Sequence, residues 1–428
     1  MSVLSKLWDR RRDRPVVTVA ALVVLVALAV YPFVDWALRS VGVAAEFTFG
    51  DFGAYGGAVD RWQAGETLSP RNDDGGFWGP YLSPPVVVLL FAPFILFLEF
   101  HTAAKVWLLT SGVLLWVGLQ ALLAALGYDL RWYERLGLAW LLAGFHPVLL
   151  TAKLGQTAMF LAALLSVAGA ALVRGGDDTD SPWPLVSGAC TALVGIVKLA
   201  AAPVGAHLLH EPRRLKGAIL ATLPVGWLSI RLFGVDQHLT YLAVLRWGVG
   251  QGSGSARSPT LWLPPYYKPL SWLPASQAVR IAACLAVIAL AILAVPRARA
   301  TVFALGVAAF PLLTPQTYAY YFVALLPAAV VLLAGELDRD GRPEVVLVGL
   351  LLVHLHAYGL KFFVNSVHDA VPAFRALEPA YLLLQPGLWG NALIFCLAAV
   401  RVGQQLDPSA LSLPDLSTGH EKAVDTED

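Results

Sequence analysis

The residues best suited to chemistry lie in one polar stretch, residues 39–85, which separates two strongly apolar runs. The stretch carries Asp51 at the start of a predicted amphipathic helix, Phe52–Ala64, which includes Tyr55, and it reaches Tyr81 near its end. A polar, acid-bearing loop of this length is typical of a functional loop that is positioned by a rigid scaffold. We therefore expect Asp51 to be held at a membrane surface, facing the headgroup of a lipid.

Three further ionisable residues stand inside apolar runs, where a charge costs about 2.5–3.5 kcal/mol on insertion scales. Lys198 either extends its ammonium group to the membrane surface or contacts a phosphate, and the sequence leaves both readings open. His354 and His356 are two residues apart, so on one helix they face different directions, which does not suit a shared metal ion. For these histidines we favour packing with a hydrogen bond to the backbone.

The composition identifies the scaffold. Of 428 residues, 57% are hydrophobic and 14% are charged, against about 25% charged residues in soluble domains. Apolar runs of 18 or more residues recur, and each is a candidate membrane-spanning helix, so the chain is expected to be an all-α polytopic membrane protein. A net charge of +1 gives no basis for a nucleic-acid partner. The three cysteines lie in apolar runs, which favours buried thiols over disulfides or metal ligands.

Basic residues set the expected orientation. Several arginines precede the apolar run Val16–Leu38, which exceeds the roughly 7–15 residues of a signal-peptide core, so we expect a retained first helix and a cytoplasmic N-terminus. About twelve spans then place residues 39–85 and 234–277 outside the cell as two long loops. We expect residues 1–401 to form one transmembrane domain and residues 402–428 to form a polar, disordered, cytoplasmic tail. The remaining basic clusters also fall inside: Arg213, Arg214 and Lys216, Arg297 and Arg299, Arg339 and Arg342, and Arg401.

Individual spans are expected at about Pro85–Leu98, Thr102–Leu126 and Trp183–His207, the last with the lysine inside it. The fourth apolar run, residues 136–150, is about 22 Å long as a helix, which is shorter than the roughly 30 Å hydrocarbon core. It is therefore a candidate partial span. Simple alternation puts Gln156 near the inner face, whereas a run that returns partway lifts it towards the middle.

These motifs resemble those of a known family. The first-loop signature of glycosyltransferase family 87 is similar to Gly50-Asp51-Phe52 with Tyr55 and Gly65, followed by Tyr81, Pro84-Pro85 and Pro93. Later motifs match in order along residues 45–330: His146-Pro147 with Gly155-Gln156, Lys198 with Pro203, and Leu313-Thr314-Pro315 with Tyr320, Tyr321 and Pro327. The chain departs from the family pattern in having Leu199 after the lysine and two tyrosines in place of paired histidines. It also has Ser255-Ala256-Arg257-Ser258 where an Asn-x-Ser element is usual.

The resemblance implies a GT-C-type fold and a membrane glycosyltransferase that acts at the extracytoplasmic face of the cell membrane. Such enzymes transfer a sugar, in known members often mannose, from a polyprenyl-phosphate-sugar donor to a lipid-linked or glycan acceptor. The leaving group departs as a phosphate anion and needs no general acid. One carboxylate, Asp51, therefore suffices as the general base of a single inverting displacement, unlike the acid–base pair of glycoside hydrolases.

The implied substrate contacts follow from the charge that develops on the phosphate, which needs cations nearby. The cationic candidates are Lys198, Arg257 and Lys268. The other candidate contacts are Tyr55, Tyr81, Gln156, Tyr320, Tyr321 and His354. This chemistry requires neither a metal ion nor a cofactor.

Two other classes of protein stay open from the residues alone. A transporter would show internal repeats, discontinuous helices and ionisable residues near the midplane, and Lys198 and His354 agree with it weakly. Long, aromatic-rich outer loops agree with it badly. A non-catalytic membrane subunit is the third possibility, and sugar transfer by purified protein would separate the three.

Overall fold

The structure is a computed structural model, and it describes residues 12–42, 44–73, 76–77, 81–176, 180–253, 266–267, 269–270, 273–356, 371, 373, 376 and 385–406. Within these ranges the chain is almost entirely helical. Its one sheet is a short antiparallel ribbon of β1 (Tyr266–Tyr267) and β2 (Thr317–Tyr318), with Tyr266 opposite Tyr318. The predicted all-α class is confirmed.

The α-helices, in chain order, are α1 (Pro15–Ser40), α2 (Gly50–Gln63), α3 (Val88–Ile95), α4 (Phe100–Ala125), α5 (Trp132–Gly144), α6 (His146–Leu154), α7 (Ala158–Gly175), α8 (Trp183–Val197), α9 (Pro212–Ser253), α10 (Ser276–Leu293), α11 (Arg299–Leu313), α12 (Leu325–Asp338), α13 (Pro343–His354) and α14 (Pro386–Gly403). Short 3-10 helices cover Pro85–Val87, Leu199–His210, Pro296–Ala298 and Ala319–Ala324.

Seven helical segments of the described chain are long and apolar enough to cross a membrane, and the bent pair α5–α6 raises the number to eight. Four more apolar helices of 10–17 residues are shorter: Pro85–Ile95, Trp183–Val197, Leu199–His210 and Pro343–His354. The chain is thus a multi-pass membrane protein. The total of about twelve spans stays a prediction.

The centre of the bundle is formed by α7, α11 and α12, whose side chains are mostly or wholly buried. Glycine allows close approach there, because a Cβ on Gly306 of α11 would lie 2.7 Å from the carbonyl oxygen of Pro203. The outer helices α1, α4, α9 and α10 instead expose many large apolar side chains. In a membrane protein such surfaces face the lipid.

One end of the bundle, which we call the site end, gathers the end of α1, the start of α4, the end of α6 and all of α2. The ammonium of Lys153 in α6 bonds to Asp35 near the end of α1. Phe100, the first residue of α4, packs against Phe52 of α2 with ring centroids 5.7 Å apart. Asp51 lies in the first turn of α2 and hence at this end.

The opposite end, which we call the arginine end, is held by arginine side chains from distant parts of the sequence. Its bonds are Arg14 Nη1 to the oxygen of Gly341 (2.6 Å), Arg213 Nη2 to the oxygen of Ser181 (2.8 Å), Arg299 Nη1 to the oxygen of Gly176 (3.0 Å), and Arg401 Nη2 to Glu336 Oε2 (2.6 Å). These contacts bring the starts of α1, α8, α9, α11 and α13 together with the ends of α7, α12 and α14.

The span expected at Pro85–Leu98 is wrong. The helix α3 has eight residues and extends about 12 Å, which is too short to cross the bundle. Phe91 of α3 stacks on Tyr55 of α2, and Phe100 beyond it also contacts α2. Because Phe91 within this segment and Phe100 just after it both contact α2, the segment stays at the site end.

This correction changes the direction of the helices that follow. Gly118 of α4 packs on Ala163 of α7, and Leu122 packs on Gly169, so α4 and α7 run parallel, away from the site end. Between them, α5 and α6 return to the site end through a bend of 66°. The short fourth run is therefore the first part of a broken span, and the chain continues through α6 to the site end. Gln156, just beyond α6, lies at the site end, where simple alternation did not place it.

Helix α8 ends at Val197, and Lys198 has an extended backbone with φ −141° and ψ 93°. The 3-10 helix that follows turns back along α8, because Thr191 Oγ1 and His207 Nε2 are 3.0 Å apart although 16 residues separate them. The expectation of one span over Trp183–His207 is wrong for this reason. Lys198 lies at the tip of a hairpin and not inside a continuous helix.

The segment predicted as a second loop, residues 234–277, begins as helix, since α9 continues to Ser253 after a break at Gly234. This part of α9 packs on the first loop, where the backbone N–H of Leu68 donates to Gln237 Oε1 at 3.1 Å. The start of the predicted tail is also ordered, because the N–H of Val295 donates to the oxygen of Gln405 at 2.8 Å. Residues 254–265 and 407–428, including the position of Arg257, lie outside the described residues, as does Lys268.

Candidate active site

Helix α2 fixes Asp51 at the site end. The residue before the helix, Phe49, has a positive φ of 49°, which is uncommon for a residue with a side chain. Its N–H donates to the oxygen of Lys153 at 2.9 Å, which ties the start of α2 to α6. Phe52 and Tyr55 are buried on the inner side of the helix. The structure thus contains the amphipathic helix predicted from the sequence. Its buried side chains pack into the bundle, and Asp51 in its first turn is half-buried.

Gln156 bonds directly to Asp51. Its Nε2 donates to Asp51 Oδ2 at 2.7 Å, while its Oε1 accepts from the Tyr55 hydroxyl at 3.0 Å and from the N–H of Thr157 at 3.2 Å. Two donors on the amide oxygen fix the orientation of the side chain, so the amide nitrogen must face the carboxylate. Asp51 is therefore held as an acceptor, which favours its ionised form.

The turn that delivers Gln156 depends on Gly155. This residue has φ +75°, and a Cβ placed on it would lie 2.5 Å from Phe52 Cβ. Glycine accepts such a conformation without strain and leaves room for close approach. The pair Gly155-Gln156 therefore brings α6 against α2 and the amide against Asp51.

The pKa of the Asp51 carboxyl reflects opposing influences. Burial raises its pKa above the ordinary value, while the hydrogen bond from Gln156 and the positive charge of Lys198 lower it. The balance leaves the pKa raised, so Asp51 is a better proton acceptor than an exposed aspartate. Burial likewise raises the pKa of the Tyr55 hydroxyl, which keeps it a neutral donor to Gln156.

Lys198 faces this group from its hairpin tip. Its Nζ lies 4.9 Å from the centroid of the Tyr321 ring, a cation–π distance, and its charge reaches Asp51 and Tyr55. Tyr321 and Tyr320 are buried in a cluster of aromatic rings with centroids about 5 Å apart. The structure therefore brings six of the predicted site residues to one place, and their roles stay predictions: Asp51, Tyr55, Gln156, Lys198, Tyr320 and Tyr321.

Tyr81 forms a wall of the same site. Its ring meets Tyr55 edge to face at 6.2 Å, and its hydroxyl donates to the oxygen of Pro84 at 2.7 Å. On the other side Tyr55 stacks on Phe91 with centroids 4.0 Å apart. Both tyrosine hydroxyls are thus already bonded within the protein. A direct contact of either one with substrate stays a prediction.

His354 is not part of this group. Its Nδ1 accepts from the N–H of His146 at 3.2 Å, and its ring meets Tyr31 edge to face at 4.7 Å. His146 starts α6 and Gln156 follows its end, so nine residues of helix, about 13 Å, separate the two places. The structure thus shows His354 packed with a hydrogen bond to the backbone, and it does not bring His354 to Asp51. Among the described residues, no group of three or more histidine, cysteine or acidic side chains is placed to hold a metal ion.

The sequence reading missed a buried ion pair next to the site. Lys153 Nζ lies 2.6 Å from Asp35 Oδ1, and both side chains are more than nine-tenths buried. Arg39 Nε donates to the other oxygen of Asp35 at 2.9 Å. The sequence did contain a signal for this ion pair. Asp35 and Lys153 both lie among apolar residues, where a charged side chain usually has a partner.

A protein-family model matches the central part of the chain. The model of glycosyltransferase family 87 matches residues 81–315, which is more than half of the chain. The chain belongs to glycosyltransferase family 87. The matched segment includes Tyr81, Gln156 and Lys198, and it begins after Asp51 and ends before Tyr320.

Two solved structures were found to be similar to this family 87 chain. Both are crystal structures of ArnT from Cupriavidus metallidurans, with 16% sequence identity. The apo structure gives a TM-score of 0.38 and covers 82% of this chain and 72% of ArnT. The structure with undecaprenyl phosphate gives a TM-score of 0.35 and covers 92% and 77%. No curated protein matches the chain.

Proposed function

We propose that this family 87 glycosyltransferase transfers a sugar from a polyprenyl-phosphate-linked donor to a lipid-linked or glycan acceptor, with inversion and with Asp51 as the general base. The observation that carries the proposal is the geometry at Asp51. A half-buried carboxylate has one oxygen fixed by Gln156 and lies within electrostatic reach of Lys198. Membership of glycosyltransferase family 87 supports glycosyl transfer as the reaction. The resemblance of the sequence motifs to those of the family supports a polyprenyl-phosphate-linked sugar as the donor.

The reaction is a single displacement at the anomeric carbon. The acceptor hydroxyl gives its proton to Asp51, and its oxygen forms the new bond to the anomeric carbon. The bond between that carbon and the phosphate oxygen breaks, and its electron pair leaves with the phosphate. Oδ1 of Asp51 is suited to take the proton, because Gln156 occupies Oδ2 and Oδ1 accepts no hydrogen bond from the described residues.

Lys198 is suited to meet the phosphate. In the part of the chain that the structure describes, the half-buried ammonium of Lys198 lies 4.9 Å from the centroid of the Tyr321 ring and forms no ion pair with a carboxylate, so its charge stays available to an anion. The positive charge of Lys198 acts on Asp51, but the two residues form no ion pair in the described chain. Donor phosphate and acceptor hydroxyl would then approach from the Lys198 side and the Asp51 side of one site.

The arginine end supports one orientation of the protein in the membrane. The arginines at positions 14, 213, 299 and 401 lie there, at the end opposite Asp51. Because cytoplasmic ends of membrane proteins carry an excess of arginine and lysine, we place the arginine end and both termini in the cytoplasm. The site end is then extracytoplasmic, where a polyprenyl-phosphate sugar in the outer leaflet can reach it. Mannose is the sugar favoured by the known members of the family.

The test uses detergent-purified protein with a radiolabelled polyprenyl-phosphate mannose and a lipid extract as acceptor source. A transferase forms a labelled product that depends on Asp51. A transporter moves the intact donor across a liposome membrane without forming product, and a non-catalytic subunit does neither. Absence of any labelled product with polyprenyl-phosphate mannose and with the corresponding glucose donor would overturn the proposal.

A further inference from the structure

The buried ion pair of Asp35 and Lys153 joins α1 to the end of α6. Lys153 Nζ lies 2.6 Å from Asp35 Oδ1, with side-chain exposures of 6% and 3%. Arg39 bonds to the second oxygen of Asp35 at 2.9 Å. A buried pair is weak evidence for a gain in stability, because well-packed apolar replacements are often neutral or stabilising. The pair therefore calls for an explanation in what it holds in place.

Lys153 lies where α6 meets the catalytic helix α2. Its carbonyl oxygen accepts the N–H of Phe49, two residues before Asp51. Two residues after Lys153, Gly155 packs against Phe52 with no room for a Cβ. The next residue is Gln156, which bonds to Asp51 and Tyr55. One contact with the α2 region is thus made by Lys153 itself, and two more follow within three residues of it.

The end of α6 needs such an anchor. This helix has only nine residues and is bent by 66° from α5, so the direction of α5 does not fix where it ends. The break follows Phe145, which has an extended backbone, and Pro147 lies in the first turn of α6. A sideways shift of the end of α6 would move Gln156 relative to Asp51, and a misplacement of about 1 Å can cost a catalytic site about 10²-fold in rate.

We propose that the Asp35–Lys153 ion pair holds the end of α6 so that Gln156 meets the Asp51 carboxylate, which makes Asp35 and Lys153 positioning residues of sugar transfer. Neither side chain touches a substrate in this account. The catalytic consequence rests on the proposed role of Asp51, whereas the mechanical coupling between the pair and Gln156 does not.

The decisive variant is Lys153→Met, which keeps length and apolar packing and removes the charge. We expect kcat to fall about 10–100-fold with little change in donor KM, because the donor phosphate is held elsewhere. The acid limb of the pH profile should move to higher pH, because a displaced Gln156 no longer favours the ionised form of Asp51. Lys153→Arg should restore most of the parent rate. If Lys153→Met alone does not fold, Asp35→Leu with Lys153→Met replaces it, since that pair leaves no unpaired buried charge.

The matched control is the ion pair at the arginine end. Glu336 and Arg401 join α12 to α14 at 2.6 Å, and Glu336 is 1% exposed. Arg401→Met should lower the thermal unfolding temperature and leave kcat per folded molecule and the pH profile near those of the parent. If Lys153→Met behaves like Arg401→Met, the Asp35–Lys153 pair is only structural and the inference is wrong.

A second measurement needs no substrate. Thermal unfolding of Lys153→Met, Gln156→Leu and the double variant forms a double-mutant cycle. Positioning predicts that the two substitutions are not additive, because the first already displaces Gln156. Additive shifts in unfolding temperature overturn the inference. Non-additive shifts in a protein that transfers no sugar support the coupling and overturn the proposed function alone.

Discussion

Gln156 and Asp51 are 105 residues apart in the sequence, yet Gln156 Nε2 donates to Asp51 Oδ2 over 2.7 Å. The amide can only donate on this side, since its oxygen is already bonded to Tyr55 and to the backbone of Thr157. The carboxylate is thus held in the form that accepts a proton. This relationship defines the variants that test the site.

The first prediction concerns Asp51. Asp51→Asn keeps the size of the side chain and cannot take up the acceptor proton, so the rate of sugar transfer should fall about 10²–10⁴-fold. Donor affinity should change little, because the contact proposed for the donor phosphate is Lys198 and not Asp51. The measurement is transfer by folded, purified variants, with donor binding followed in parallel.

The control for this substitution is Asp60→Asn on the same helix. Asp60 is exposed, and its replacement should leave the rate close to that of the parent. Transfer by Asp51→Asn at nearly the parent rate would show that the base lies elsewhere.

Much of the site could be predicted, because the family resemblance rests on short motifs and their order along the chain. These motifs can be recognised even where the ends of the helices are predicted wrongly. The sequence indicated Asp51, Tyr55, Gln156 and Lys198, and the structure brings them together. The sequence also predicted the all-α membrane class, because helices that face lipid need long runs of apolar residues. His354 was predicted as a substrate contact, but it bonds to His146 at the start of α6, about 13 Å from the other end of that helix, which Gln156 follows.

The course of the chain between these residues was less predictable. Hydropathy counts apolar residues and does not reveal where a helix breaks, so the runs at Pro85–Leu98 and Trp183–His207 were both read as spans. The break at Lys198 depends on an extended backbone that tertiary contacts select. The Asp35–Lys153 pair joins residues 118 apart, and no local pattern predicts such a pairing.

The second prediction concerns Lys198. Lys198→Ala should raise the KM for donor, because the site loses the cation that we propose as the contact of the donor phosphate. Lys198→Arg should recover part of the loss, since charge matters more than shape at a single contact. Lys105→Ala on α4, an exposed lysine outside the site, is the matched control. Equal donor use by the parent and by both Lys198 variants would leave Lys198 with a structural role only.

The third prediction is a pH dependence. A base must be ionised to act, so kcat/KM should fall as the pH falls through the pKa of Asp51, which burial raises above its ordinary value. Lys198 lowers this pKa, so Lys198→Met should move the acid limb to higher pH. The profile is measured with saturating acceptor over the acid range. An acid limb that moves to lower pH, or does not move, would contradict the electrostatic link between the two residues.

The fourth prediction concerns orientation. In a variant without native cysteines, Glu66→Cys at the site end should react with an impermeant thiol reagent added outside intact cells. Asp340→Cys at the arginine end should react only after the membrane is opened. Both positions are exposed in the structure, so access to reagent depends on the side of the membrane. The reverse pattern of labelling would invert the orientation.

The last prediction concerns Gly155, whose conformation lets α6 approach α2. Gly155→Ala places a side chain at φ +75° and puts its Cβ 2.5 Å from Phe52 Cβ. The left-handed backbone costs about 1–2 kcal/mol, and the overlap adds about 1–3 kcal/mol as Phe52 is displaced. Because Gln156 is the next residue, the shift should also move the amide from Asp51 and lower the transfer rate.

Gly65→Ala is the matched control for this substitution. Gly65 has nearly the same backbone, with φ +72°, and a Cβ there meets nothing within 4 Å. It should therefore show the backbone cost alone, with a smaller drop in unfolding temperature and an almost unchanged rate per folded molecule. Thermal unfolding and transfer rates are compared for the two variants. If Gly155→Ala is no more harmful than Gly65→Ala in both measurements, the close approach of α6 to Phe52 does not control the position of Gln156.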